Sequence, residues 1–200
     1  MQNLHHSSHP RSQRSNRKTS SPQATKGFTV IELMVVVSIV AILLALATPS
    51  FTPLIERWRV QQTIKGLEST LYYARSEAIK RGGNVSIRKH PTGTNGCQLA
   101  SDTANWDCGW FVFIDTNSNG VQDAGEDTLQ SFNTPSNVDV TDDRSTPSAS
   151  IQFDRWGRTA GLAIRFSLVP HDKTNSDPSA RGLCLSSGGR ISTIKTPPCP

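Results

Sequence analysis

From Phe28 to Ala47 the chain runs for twenty residues with only three polar side chains, Thr29, Glu32 and Ser38. As a helix rising ~1.5 Å per residue the run measures about 30 Å, the thickness of the hydrocarbon core of a bilayer. That is the tightest constraint on the fold, because lipid suits such a segment and water does not. The acid is the anomaly. An ionised Glu near the centre of a span costs about 2.5–3.5 kcal/mol, so Glu32, five residues into the run, needs a reason to be there. Residues 1–27, ahead of the run, carry Arg11, Arg14, Arg17, Lys18 and Lys26 and no acid. Positive charge on that flank holds the N-terminus in the cytoplasm and sends the C-terminal part across the membrane.

The formal charge of +5 invites a nucleic-acid reading, but its distribution argues against a broad basic surface. All five excess positive charges lie within residues 1–27, and beyond them Lys and Arg balance Asp and Glu. The basicity is therefore a targeting feature. Two hundred residues, less a leader and a membrane helix, leave one globular domain of ordinary size. A segment exported across a membrane enters an oxidising compartment, so the four cysteines are expected to pair. Three connectivities are open, and the two short intervals favour Cys97–Cys108 and Cys184–Cys199. No Cys-x-x-Cys or Cys/His cluster points to zinc, and His90 and His171 stand apart.

Residues 1–25 are rich in Ser, Gln, Arg and His and are expected to be disordered. After the apolar run, Pro49 and Pro53 are expected to loosen the helix without ending it. Ile64, Leu67, Leu71, Ala74 and Ala78 then fall on one helical face, and Gly82-Gly83 supplies a stop. One helix from Phe28 to about Arg81 would measure roughly 80 Å if straight. The rest reads as strand: 84–89, 109–114, 128–132, 138–140, 151–153, 162–169 and 183–185, divided by Asn, Asp, Gly and Pro clusters. The predicted class is α+β, with an antiparallel sheet packed on the amphipathic part of the helix. Trp58, Trp106, Trp110 and Trp156 are expected in the core or an interface.

Lys26-Gly27-Phe28, Glu32 and the apolar run together resemble the type IV prepilin signature. The resemblance implies cleavage by a prepilin peptidase between Gly27 and Phe28, N-methylation of Phe28, and a role for Glu32 in filament assembly. In that role Glu32 pairs with the N-terminal amine of a neighbouring subunit, and such a buried pair sets register if its geometry is good. The order of the later elements is similar to the GspH/FimT family of minor pilins and pseudopilins. The segments that carry this likeness are Gly109-Trp110-Phe111-Val112-Phe113 running into Asp115-Thr116-Asn117-Ser118-Asn119-Gly120, Ile151-Gln152-Phe153-Asp154 with Gly157-Arg158, and Leu183-Cys184-Leu185-Ser186. The organisation it implies is a leader over 1–27, a transmembrane helix over 28–48, its amphipathic continuation over 49–82, and a periplasmic β-rich domain over 83–200. The implied partners are prepilin peptidase, other pilins or pseudopilins, and the inner membrane.

Two further patterns bear on ligands. Asp115, Asn117, Asn119, Asp123 and Glu126, with Gly120 between, match the twelve-residue calcium-loop spacing, in which oxygens at alternate positions enclose one ion. The flanks read as strand, however, and a hairpin loop uses the same residue types for its turns. Gly189-Arg190 resembles the start of the Gly-Arg-x-Arg loop of FimT-type pilins that take up DNA. Ser192 stands where the second Arg belongs, with Lys195, Arg181 and Arg165 as other sources of charge, and the plainer reading is a turn between two closing strands. Neither a phosphate-binding glycine loop nor a Gly-x-Ser-x-Gly elbow occurs, so the expected role is non-catalytic, with no cofactor beyond a possible calcium ion.

Overall fold

A computed structural model describes residues 27–47, 51–98, 100–159 and 163–200. The expectations for the leader before Gly27 and for a loosened helix at Pro49 lie outside the described residues. The chain divides into two units, Met1–Ala45 and Leu46–Pro200. In the first, helix α1 spans Val30–Ala47. Ser38, the one polar residue beyond its first turn, donates its hydroxyl to the Met34 carbonyl at 2.7 Å, which satisfies it locally. Among the described residues no helix is long and apolar enough to cross a membrane. The helix proper opens only at Val30, after Phe28 and Thr29, and its 18 residues rise about 27 Å.

The single helix expected from Phe28 to Arg81 is described instead as α1 and a second helix, α2, over Thr52–Arg81. Pro53 sits in the first turn of α2, where its missing N–H and fixed φ do no harm. Its end is set by Gly82, whose φ of 75° is left-handed and whose N–H returns to the Ala78 carbonyl. The stripe Ile64, Leu67, Leu71, Ala74 and Ala78 is buried as the spacing requires, and Val60, Thr63 and Thr70 extend it.

Eight strands follow: β1 Val85–Lys89, β2 Trp110–Ile114, β3 Thr128–Phe132, β4 Val138–Asp142, β5 Ser150–Phe153, β6 Ile164–Pro170, β7 Arg181–Leu185 and β8 Ile191–Ile194. They form two antiparallel sheets, ordered β3-β2-β1-β5 and β4-β6-β7-β8, where a single sheet was expected. The chain leaves the first sheet after β3 to lay β4 against β6, returns to place β5 on β1, and leaves again. Strand periodicity cannot reveal such crossings, because it fixes which face is buried but not which neighbour is paired. Strands of both sheets touch α2, whose apolar stripe is buried in the core they share.

Gly66 explains how closely α2 approaches. A Cβ there would lie 2.3 Å from the Phe132 ring, and that ring is stacked on Trp110 with centroids 4.8 Å apart. Trp110 in turn donates its indole N–H to the Thr70 hydroxyl at 3.1 Å, and Thr70 donates to the Gly66 carbonyl at 2.8 Å. Glycine within a helix costs about 1 kcal/mol against alanine, yet forcing a methyl into a packed contact costs about 1–3 kcal/mol. The ring is pinned, so the second effect should win. Gly66→Ala is expected to lower the unfolding midpoint, as read by thermal or urea melting. A rise would mean that the ring can move aside.

Asp107 gives the unit a pH signature. It is buried beside Trp106, and its carboxylate accepts the Val140 N–H. Burial raises its pKa to about 6. Because the folded value lies above the unfolded one, the neutral form favours folding, and this contribution is lost as pH rises from about 4 through about 6. Asp107→Asn is therefore expected to gain about 1–3 kcal/mol over the wild type by pH 7, with the gap closing towards pH 4. Urea titrations across that range measure it, and a pH-independent gap would remove Asp107 as its source.

Candidate functional site

Gly27, Phe28 and Thr29 precede α1 and are exposed. Thr29 begins the helix: its hydroxyl accepts the Glu32 N–H at 3.3 Å, and its carbonyl accepts the Leu33 N–H at 3.2 Å. Thr29-Val30-Ile31-Glu32 is thus a capping-box sequence, a role for Thr29 that the Thr-x-x-Glu spacing signalled and the sequence reading missed. Glu32 stands in the first turn, where the helix dipole favours a negative charge. The described side chains from Phe28 to Leu44 are exposed, so this segment is an apolar rod with a single acid near its start.

The Asp115–Glu126 loop joins β2 to β3 as a hairpin. Its carboxylates are committed to hydrogen bonds. Asp115 is fully buried; its Oδ1 accepts the Asn119 N–H at 3.0 Å, and its Oδ2 accepts the Ser86 hydroxyl at 2.6 Å and the Gly120 N–H at 2.8 Å. Asp123 accepts both the Asn117 and Asn119 amides, at 2.8 and 2.9 Å. Glu126 accepts from the Thr116 N–H and hydroxyl and from the Asp123 N–H, and these bonds hold its pKa below the ordinary value. Gly120, at φ 72°, lets the loop fold back onto β5: a Cβ there would lie 2.4 Å from the Ser150 hydroxyl. Among the described residues no group of three or more His, Cys, Asp or Glu is placed to hold a metal ion.

Arg190 is exposed in the turn between β7 and β8, held by mutual hydrogen bonds with Ser186 at 3.0 Å. Lys195 is exposed past the other end of β8, about 16 Å away at ~3.3 Å per strand residue, so the structure does not bring the two together. Ser192 lies opposite Cys184 in the β7–β8 register. Arg75 of α2 anchors this turn by donating to the Gly189 carbonyl at 2.6 Å. The tryptophans divide. Trp106 and Trp110 are fully buried, whereas Trp58 is 64% exposed and Trp156 67% exposed.

Both disulfides join the near neighbours that the intervals favoured. Cys97–Cys108 closes the segment between β1 and β2, and Cys184–Cys199 ties the last residues to β7. The first loop is further stitched by Lys89, whose buried ammonium donates to the Ala100 and Asp102 carbonyls and whose pKa burial lowers. The sequence reading missed Lys89, since an alternating strand with one Lys looks like a solvated face.

Known proteins place these features in a family. The family model described as type II transport protein GspH matches residues 63–189, and the prokaryotic N-terminal methylation motif matches residues 23–48. Pilin-like protein PilA1 of Thermus thermophilus is 30% identical over 51% of this chain and 56% of its own length. The chain thus spans little more than half of that relative. A fimbrial protein of Pseudomonas aeruginosa is 27% identical over 76% of this chain and 82% of its own length. Two crystal forms of the type IV minor pilin FimU of Pseudomonas aeruginosa share the fold, with TM-scores of 0.50 and 0.52 at 22% identity. They cover 68% and 71% of this chain and 96% and 95% of the FimU chains. The part matched by the GspH model carries the Cys97–Cys108 disulfide and the hairpin loop, and the capped apolar helix lies within the methylation motif: the chain belongs to the GspH family and is a type IV prepilin-like minor pilin or pseudopilin.

Proposed function

We propose that this chain is a minor pseudopilin of a type II secretion system, a non-catalytic subunit of a pilus-like filament that serves protein export across the outer membrane. It would be cut between Gly27 and Phe28, N-methylated on Phe28, and held in the bacterial inner membrane by its apolar helix, with the β-rich domain in the periplasm. The observation that carries this reading is α1 itself, an exposed apolar rod opened by a Thr29–Glu32 cap directly after an exposed Gly27–Phe28 junction. A segment of that kind has no stable place in water. Lipid before assembly and neighbouring helices after it would each bury it.

Glu32 has two candidate roles, and substitution separates them. A capping role survives Glu32→Gln, because glutamine serves at the same capping-box position. An assembly role that depends on charge does not. In cells that produce the other pilin-like subunits, Glu32→Gln and Glu32→Leu are both expected to be cleaved normally and to lose co-purification with them at least tenfold. Normal incorporation of the Gln variant would reduce Glu32 to a cap.

A second reading, a FimT-like minor pilin in pilus biogenesis and DNA uptake, is favoured by one feature, the exposed Arg190 in a turn braced by Arg75. The detergent-solubilised chain, titrated with short duplex DNA at two salt concentrations, tests it. Salt-sensitive binding that drops on Arg190→Ala would support that reading, and no binding at low salt would remove it. Deleting the chain and measuring both exported protein and DNA uptake separates the two systems. The Asp115–Glu126 loop we read as a turn closed by its own hydrogen bonds. Calcium is accordingly expected to leave the melting temperature unchanged, whereas Asp115→Ala, which strands a buried hydroxyl and an N–H, is expected to destabilise by about 1–3 kcal/mol.

A further inference from the structure

Three segments meet beside the last turns of α2. Arg75 and Ile79 of the helix lie against Gly157, where a Cβ would come within 2.7 Å of Arg75 and 2.9 Å of Ile79. Gly189 is equally close to both neighbours: a Cβ there would lie 2.8 Å from the Gly157 carbonyl and 3.1 Å from the Arg75 guanidinium. Both glycines hold left-handed φ values, 68° and 83°. Two turns, 154–158 and 186–190, are thereby locked to one face of the helix, and their outward side chains have fixed positions. Asp154 fixes the first turn further by accepting the Trp156 and Arg158 N–H groups at 2.9 Å each.

What these turns present to solvent is unusual. Trp156 is 67% exposed, and on the same helix face as Arg75 lie Tyr72 at 50% and Ile79 at 52%. Arg155 and Arg190 flank them with no side-chain partner among the described residues, and Arg158 is paired only with Asp154, at 3.0 Å. Exposed Trp, Tyr and Arg on a rigid backbone is the composition of an interface centre, where a few such residues carry most of the binding energy.

The charge layout selects the kind of partner. The registers place Ile114, Val85 and Phe153 side by side, so the acidic loop after β2 leaves the first sheet at the same end as the turn after β5. Residues 115–127 hold Asp115, Asp123, Glu126 and Asp127 and no basic residue. Nucleic acid, uniformly negative, would meet the arginines but be repelled by that loop. A protein surface can set acids against the arginines and bases against the loop.

Resting on the filament-subunit reading above, we infer that the Tyr72–Ile79–Trp156 face, rimmed by Arg155, Arg158 and Arg190, is the surface by which this domain docks on the globular domain of a neighbouring pilin-like subunit. That neighbour presents acidic side chains opposite the arginines.

The test uses the full chain in cells that also produce its pilin-like partners. An aromatic photo-crosslinker replaces Trp156 in one variant and Val36 of α1 in another, the second reporting helix assembly alone. Position 156 is expected to capture a pilin-like subunit, and Arg155→Glu with Arg190→Glu should cut that yield at least tenfold, a loss of about 1.4 kcal/mol. The Val36 adduct should be unchanged, and Arg155→Lys should retain the position-156 adduct. Melting temperatures confirm that each variant folds. Val36 adducts without position-156 adducts, or position-156 adducts indifferent to charge reversal, overturn the docking surface and leave the filament reading intact. Capture of nucleic acid or of a second copy of this chain overturns the assigned partner. Loss of adducts at both positions overturns the filament reading and the docking surface together.

Discussion

Everything in the globular unit depends on one stripe of α2. Val60, Ile64, Leu67, Leu71, Ala74 and Ala78 are buried in a core shared with two sheets, and strands of both touch this helix. Four- and five-residue strands pair too few backbone groups to hold alone in water, so the helix face is what makes each sheet worth forming. The small residues matter as much as the large ones. Ala74 and Ala78 sit at the end of the stripe where the turns 154–158 and 186–190 close in, and Gly66 sits where Phe132 does. Bulk on the sheets and its absence on the helix are two halves of one fit.

That stripe was legible because helical burial has a period that a sequence displays. Strands were legible from alternation or from aromatic and β-branched runs, and Val85–Lys89 and Trp110–Ile114 lie within a residue of where these placed them. Pairing between non-adjacent strands was not. Nothing local to Ser150–Phe153 states that it returns to β1, and nothing in Val138–Asp142 states that it awaits β6. These choices are settled by the closing of a three-dimensional core, which a one-dimensional pattern does not encode. Helix ends followed a middle course. Gly82 announced its stop, while the opening of α1 at Val30 rests on a Thr29 hydroxyl bonded to the Glu32 N–H, which the Thr-x-x-Glu spacing signalled but the periodic pattern did not.

The candidate sites divide along the same line. Gly27, Phe28 and Glu32 were singled out by spacing, because the chemistry proposed for them is sequential: a junction, a terminus and an acid at a fixed offset. The calcium-like spacing of Asp115 to Glu126 was equally visible, and the carboxylates there accept hydrogen bonds from their own loop, with Asp115 reaching across to Ser86. Spacing alone cannot tell oxygens that wait for an ion from oxygens that hold a turn. Trp156 went the other way. Four tryptophans look alike in a sequence, and only the braced turn shows that this one faces solvent.

The two glycines beside Arg75 carry a consequence for how such a surface can change. Any side chain at position 157 or 189 would strain the backbone and collide with the helix at the first or with the neighbouring turn at the second, so the path of the chain there is frozen. The residues next to them are held by backbone bonds that do not involve their own side chains. Arg155, Trp156 and Arg190 can therefore be exchanged without disturbing the platform beneath. A rigid platform with interchangeable lettering lets one domain architecture address many different neighbours.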